Sequence, residues 1–228
     1  MKDLNDQNSN YTDFNSWLIK KRYEHLSRYF RGDTCLEMGC ADGSGTVILN
    51  NYFKDLTTVD GSSTAIYEVG KLLPKIKRHF SSFETMKFNT KFDTIVLAHV
   101  LEHVDNPQTV LKKAKEHLAP GGVLIVDVPN ADSLHRQAGV ELHLLDRITD
   151  LNETDISIGH KRVYTQHTFY DELRELNMII STFGGMFIKV VSNKQTEELF
   201  SEEQLDAFFQ VGVNNPHVAS EIYGILEK

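Results

Sequence analysis

The chain has 228 residues, enough for one sizeable core, and its 40% apolar and 25% charged content is that of a folded globular domain. A net charge of −8 repels phosphate backbones, which disfavours a nucleic-acid partner and points to a small-molecule one. No apolar stretch approaches the roughly 20 residues of a bilayer span, and the opening MKDLNDQNSNYTDF has no apolar leader segment, so no membrane partner is expected.

The two cysteines, Cys35 and Cys40, form no CxxC pair and read as reduced thiols of a cytoplasmic protein, monomeric or homodimeric. Apolar residues recur at helical spacing from Phe14 to Phe30, with Gly32 placed to end that helix. Short apolar runs and amphipathic segments then alternate. Strands are predicted at Thr34–Met38, Leu56–Val59, Arg78–Phe80, Phe92–Ala98 and Gly122–Val128. Helices are predicted at Ser44–Phe53, Ser63–Leu73 and Pro107–Leu118, the last with Pro107 in its first turn and Val110, Leu111, Ala114 and Leu118 on one face. This order predicts right-handed βαβ units on a parallel sheet. Residues 130–165 are polar and show no strong period, an insert of a length that usually carries function. Beyond it come a helix at Gln166–Leu176, a strand at Met178–Phe183, a helix at Glu203–Gly212 and a last strand at Glu221–Glu227. No linker separates a second domain. The expected layout is one domain: helix 14–31, cofactor-binding core 33–129, insert 130–165 and a C-terminal part 166–228.

The strongest local signal is Leu36-Glu37-Met38-Gly39-Cys40-Ala41-Asp42-Gly43, between a strand and a helix. Glycines there let the backbone turn tightly and approach a ligand, and a helix N-terminus presents free N–H groups. About twenty residues on, the second strand ends at Asp60, where a carboxylate suits the hydroxyls of a ribose.

These residues resemble the first motif and the ribose-binding acid of class I S-adenosylmethionine (SAM)-dependent methyltransferases of the small-molecule, type 11/12-like kind. Ser82-Phe83-Glu84 matches the adenine-contacting position. The run from Phe92 to Val104, with its LEHV ending, resembles the fourth motif, and Leu118-Ala119-Pro120-Gly121-Gly122 the turn before the fifth strand. One departure is Ala41, where the family often has glycine. The resemblance covers residues 33–130. It implies a Rossmann-like α/β fold with a doubly wound seven-stranded sheet, mostly parallel with an antiparallel last strand, and SAM as cofactor. The implied cofactor residues are Glu37, Gly39, Cys40, Ala41, Gly43, Asp60, Gly61, Ser82, Phe83, Glu84, Ala98 and His99. A nicotinamide oxidoreductase would keep a fuller G-x-G-x-x-G and lack LEHV. A non-catalytic SAM-binding regulatory module is the other alternative.

An acceptor hydroxyl needs a base, and the chain has ten histidines. His99, just past the fourth strand, reads either as that base or as a loop histidine bonded to backbone; His103 reads as structural. His135 and Arg136 follow the fifth strand, and His160, Lys161, Arg162 and Tyr164 cluster near the end of the insert. His99, His135, His160 and Tyr164 are the candidate catalytic residues. Arg136, Lys161 and Arg162 are candidates for binding an anionic acceptor group, with Tyr11 a further candidate for the acceptor. The order P-N-x-x-S-x-H-R then G-H-x-R-V-Y-T is similar to a bacterial subgroup tied to surface-glycan and secondary-metabolite pathways, which implies a sugar-linked or phosphorylated acceptor. No H-x-x-x-H or HExxH pair is present, and metal independence is expected.

Overall fold

A computed structural model of the protein describes residues 14–228. Seven strands form one sheet: β1 Thr34–Met38, β2 Asp55–Asp60, β3 Lys77–Phe80, β4 Phe92–Ala98, β5 Leu118–Pro129, β6 Ile179–Met186 and β7 Glu221–Glu227. Their spatial order is β3-β2-β1-β4-β5-β7-β6. The first five strands pair in parallel. β7 runs antiparallel to both β5 and β6, as expected for the last strand.

The period of the strands explains the two cores. In β4 and β5 the side chains of Ile95, Leu97, Leu124 and Val126 join one apolar cluster, while Val96, Val123 and Ile125 join the cluster on the opposite face. Both faces are covered, so both strands are apolar almost without interruption. On the first face lie α4 (Pro107–His117) and α7 (Gln166–Arg174), which bury Val110, Leu111, Ala114, Phe169 and Leu173. Asn106 caps α4 by accepting from the Thr109 amide at 3.0 Å, and Pro107 occupies its first turn. Burying each large apolar side chain here contributes about 1.5–3 kcal/mol.

The second face receives α1 (Phe14–Leu26) and α9 (Glu202–Asn214). Trp17 packs edge-on against Phe187 and Phe209 and beside Phe14, so it is a core residue rather than a lid. α2 (Ser44–Leu49) and α3 (Ser63–Leu72) complete the βαβ crossovers.

Several predicted bounds change. The first helix stops at Leu26 and tightens into a 3-10 turn at Ser27–Tyr29. Residues 130–165 hold two short helices, α5 (Leu134–Glu141) and α6 (Glu153–Ser157). A helix the apolar pattern did not announce, α8 (Asn193–Leu199), starts at a capping box of Ser192 and Gln195. Among the described residues no helix is long and apolar enough to cross a membrane.

Candidate active site

The loop after β1 forms one wall. Gly39, Ala41 and Gly43 all have positive φ, at 90°, 44° and 87°. A Cβ on Gly39 would come within 2.7 Å of Val100 Cγ2 and 3.8 Å of Phe83 Cζ, so glycine is required there. Ala41 adopts the left-handed conformation that explains why glycine suits its place, at a cost of about 1–2 kcal/mol. Asp60, at the end of β2, binds this loop: Oδ2 accepts from the Cys40 and Ala41 amides at 2.9 and 3.4 Å. Its Oδ1 accepts from Ser62 N at 2.7 Å. Gly61 faces open space. Below the loop the buried Glu37 accepts from Thr46 Oγ1 at 2.7 Å. Burial pushes its carboxyl up to about 7 against the opposing pull of hydrogen bonds from Thr46 and Thr58. Cys40 is buried, and its thiol is pushed up to about 12 by burial and by Asp60, which leaves it inert. Ser82 is exposed, Phe83, Glu84 and Ala98 are partly buried, and Phe83 and Ala98 pack on the two apolar clusters.

The second wall stands at the carboxyl ends of β4, β5 and the start of β7. His99 has φ +53° and donates its amide to Asp127 O at 3.1 Å. Its Nε2 accepts from Arg22 Nη2 at 2.9 Å and lies 3.3 Å from Glu221 Oε1 and 3.5 Å from Asp127 Oδ2. Nδ1 lies 3.6 Å from Glu102 Oε1. Burial and Arg22 push the imidazole down, but Glu221 and Glu102 outweigh them and its pKa is raised. Arg22, buried in α1, donates to Glu221 through Nη2 at 2.5 Å and Nε at 3.1 Å, with Asp127 Oδ2 at 3.1 Å from the same Nε. Burial pushes Asp127 up to about 6 despite Arg22. Arg22 and His99 hold Glu221 well below the carboxylate range although burial opposes them.

The insert contributes a third group. His160 Nδ1 lies 3.0 Å from Asp155 Oδ1, and Asp155 Oδ2 accepts from Arg136 Nη1 at 3.1 Å. His160 and His103 meet edge to face with centroids 4.7 Å apart. Glu102 is wholly buried, and neither of its carboxylate oxygens has a hydrogen-bond partner among the described residues. Ser133 Oγ, His135 Nδ1 and Tyr164 OH are likewise buried without partners. Burial pushes His135 down to about 3, so its ring is neutral, and raises Tyr164 well above the usual phenol range.

The predicted anion-binding residues are engaged elsewhere. Arg136 is buried, and its Nε and Nη2 bond the carbonyls of Ile148 and Asp150, which ties α5 to the insert. Arg162 donates to the Leu101, Val104 and Asp105 carbonyls and clamps the turn after β4. Lys161 pairs with Asp105 at the surface. In the structure each of the three bonds groups of the chain itself. Tyr11 lies outside the described residues. The sequence reading missed Arg22, Asp127 and Glu221. Arg22 and Glu221 are 199 residues apart and carry no local signal, whereas Asp127 stands out as a lone charge inside an apolar strand.

Residues 14–180 match a family model described as a methyltransferase domain. Among curated proteins, the mitochondrial ubiquinone biosynthesis O-methyltransferase of Schizosaccharomyces pombe is 28% identical over 147 residues, 61% of this chain and 52% of that protein. A probable SAM-dependent methyltransferase of Mycolicibacterium smegmatis is 26% identical over 109 residues, 47% of this chain and 42% of that protein. The chain thus spans about half the length of the curated relatives it matches. Among solved structures, a SAM-dependent methyltransferase of Mesorhizobium loti has a TM-score of 0.66 at 13% identity, covering 91% of this chain and 97% of that one. The N-methyltransferase NodS of Bradyrhizobium japonicum, solved with S-adenosyl-L-homocysteine, has a TM-score of 0.58 at 18% identity, covering 92% and 86%. At such identities the likeness is one of fold. With the family model matched over most of its length, the chain belongs to the SAM-dependent class I methyltransferases.

Proposed function

We propose that this chain transfers a methyl group from SAM to an oxygen or nitrogen of a small polar molecule, with the acceptor held at the wall formed by His99, Glu102, Asp127 and Glu221. The observation that carries this reading is the convergence of buried and half-buried polar groups at one end of the sheet. His99, Glu102, Asp127, Ser133, His135 and Tyr164 all sit at, or just beyond, the carboxyl ends of β4 and β5. Open α/β sheets bind ligands there, and orphaned polar atoms in such a place suit a polar guest.

The loop fits the cofactor. Gly39 spares the loop a Cβ that would strike Val100, Gly61 opens onto free space, and Asp60 stands at the loop's edge. Glu37, Gly39, Ala41, Gly43, Asp60, Gly61, Phe83 and Ala98 would hold SAM, whose sulfonium supplies the methyl group. Val100 rests on Gly39, so its neighbour His99 lies at the junction of the two walls. His99 is about 30% exposed at its side chain and orients the acceptor through Nδ1–H, while Arg22, donating to Nε2, and Glu221 fix the ring. Positioning of the acceptor and exclusion of water supply the rest of the rate.

Calorimetry with S-adenosylhomocysteine beside NAD and NADP tests the cofactor half. Binding of the homocysteine product alone, weakened at least tenfold in Asp60→Ala, is the expected result; binding of a nicotinamide cofactor instead overturns the reading. Turnover on a panel of phenols, hydroxy acids, aminosugars and amines tests the acceptor half. Cofactor binding without turnover of any of them favours a regulatory SAM-binding module.

A further inference from the structure

We propose that Glu102, His103 and His160 form a site for one divalent transition-metal cation. Ligand-capable atoms of the three lie within 4.8 Å of one another. Glu102 and His103 come from the turn after β4, and His160 from the end of the insert, so the site exists only in the folded chain. That is why a search for paired histidines along the sequence, which gave an expectation of metal independence, passes over it.

The electron pairs make the argument. His160 Nδ1 lies 3.0 Å from Asp155 Oδ1, which places its proton there and leaves the Nε2 lone pair free. That lone pair faces Glu102 Oε1 at 4.0 Å. Two acceptors thus confront one another across a gap that no described donor fills. His99 Nδ1, the other group near Glu102, stands at 3.6 Å, too far for a hydrogen bond. A wholly buried carboxylate with neither oxygen bonded is costly, and a cation removes that cost. With ligand bonds of about 2.1 Å, side-chain shifts of about half an ångström close the site.

The surroundings repeat the pattern of carboxylate-held metal histidines. Asp155 orients His160, and Arg136 anchors Asp155 in turn. Two imidazoles and one carboxylate suit Mn2+, Fe2+, Co2+ or Zn2+ better than Ca2+ or Mg2+. Three protein ligands leave coordination positions open for water or for an acceptor oxygen, which the cation would polarise. That last role rests on the methyl-transfer reading; the binding of the cation does not.

The test uses untagged, metal-stripped full chain titrated with Co2+, read by visible absorption and by calorimetry, without cofactor or acceptor. One equivalent should bind saturably, and binding should be lost in His103→Ala and His160→Ala. His167→Ala, which changes the exposed ring beside Asp171, should leave it intact. Glu102→Gln should also lose the cobalt spectrum while melting no lower than the parent without metal, since it removes an uncompensated buried charge. No saturable binding below about 1 mM Co2+, or one equivalent surviving in both His103→Ala and His160→Ala, overturns the proposal. Because no methyl transfer is measured, a negative result leaves the functional reading standing, and a failure of that reading leaves the cobalt spectrum unchanged.

Discussion

Glu37 shows how burying a single carboxyl makes stability depend on pH. Its carboxyl is raised to about 7 from an ordinary 4.5, chiefly by burial. A carboxyl raised by folding holds its proton more tightly in the native state, so its contribution to stability is complete below pH 4.5 and falls as pH rises toward 7. Above that range the charged form costs on the order of 3 kcal/mol. Glu37→Gln lacks this term. Denaturant titrations across the range should find the variant gaining on the parent by on the order of 2–3 kcal/mol between pH 4.5 and 8. A difference that stays flat with pH would contradict this account, and S-adenosylhomocysteine affinity should fall in the variant at every pH. The tight turn at Gly39 and Gly43 was legible in the sequence because a glycine with positive φ is a local requirement. The roles of Arg136 and Arg162 were not, since their partners are backbone carbonyls that only the folded insert brings near.

Elements were legible where one pattern decided them. α4 has a cap, a proline and an apolar face, and its predicted range is off by a single residue. β4 and β5 read as buried strands because both faces are covered. The short helices α5, α6 and α8 were missed because they bury few residues each, and α6 and α8 are defined by capping boxes rather than by an apolar stripe. α9 supplies a test of packing at this scale. A Cβ on Gly212 would lie 2.3 Å from the backbone nitrogen of Phe187. Helix propensity alone favours alanine over glycine by about 1 kcal/mol. The contact reverses that sign, because backbone cannot give way as a side-chain tip can. Gly212→Ala should therefore lose about 1–3 kcal/mol and melt several degrees lower. A variant as stable as the parent would show that α9 shifts freely on β6.

Across the whole molecule, the parallel half of the sheet was legible from alternation. The place of β7 between β5 and β6 was not, because strand order is set by long-range pairing that no local run encodes. Arg22 is the lock between α1 and that late-placed strand. Arg22→Ala leaves Asp127 and Glu221 buried without their cation, and breaking one side of a buried ion pair costs about 3–5 kcal/mol. Equilibrium unfolding should show a loss of that size, with methyl transfer impaired even at temperatures where the variant stays folded, because His99 loses the group that fixes its ring. A small loss with full activity would reduce Arg22 to a spectator. The same strand order bears on synthesis at the ribosome. β5 emerges about 90 residues before the strand that pairs with its open edge, a delay of roughly 5–20 s at ordinary elongation rates. For that interval the nascent chain displays Gly122–Pro129, a run of aliphatic backbone ready to pair with a neighbouring polypeptide. Asp127 is the one charge in it. Besides its place beside His99, a charge inside an aliphatic run works against such pairing until β7 arrives.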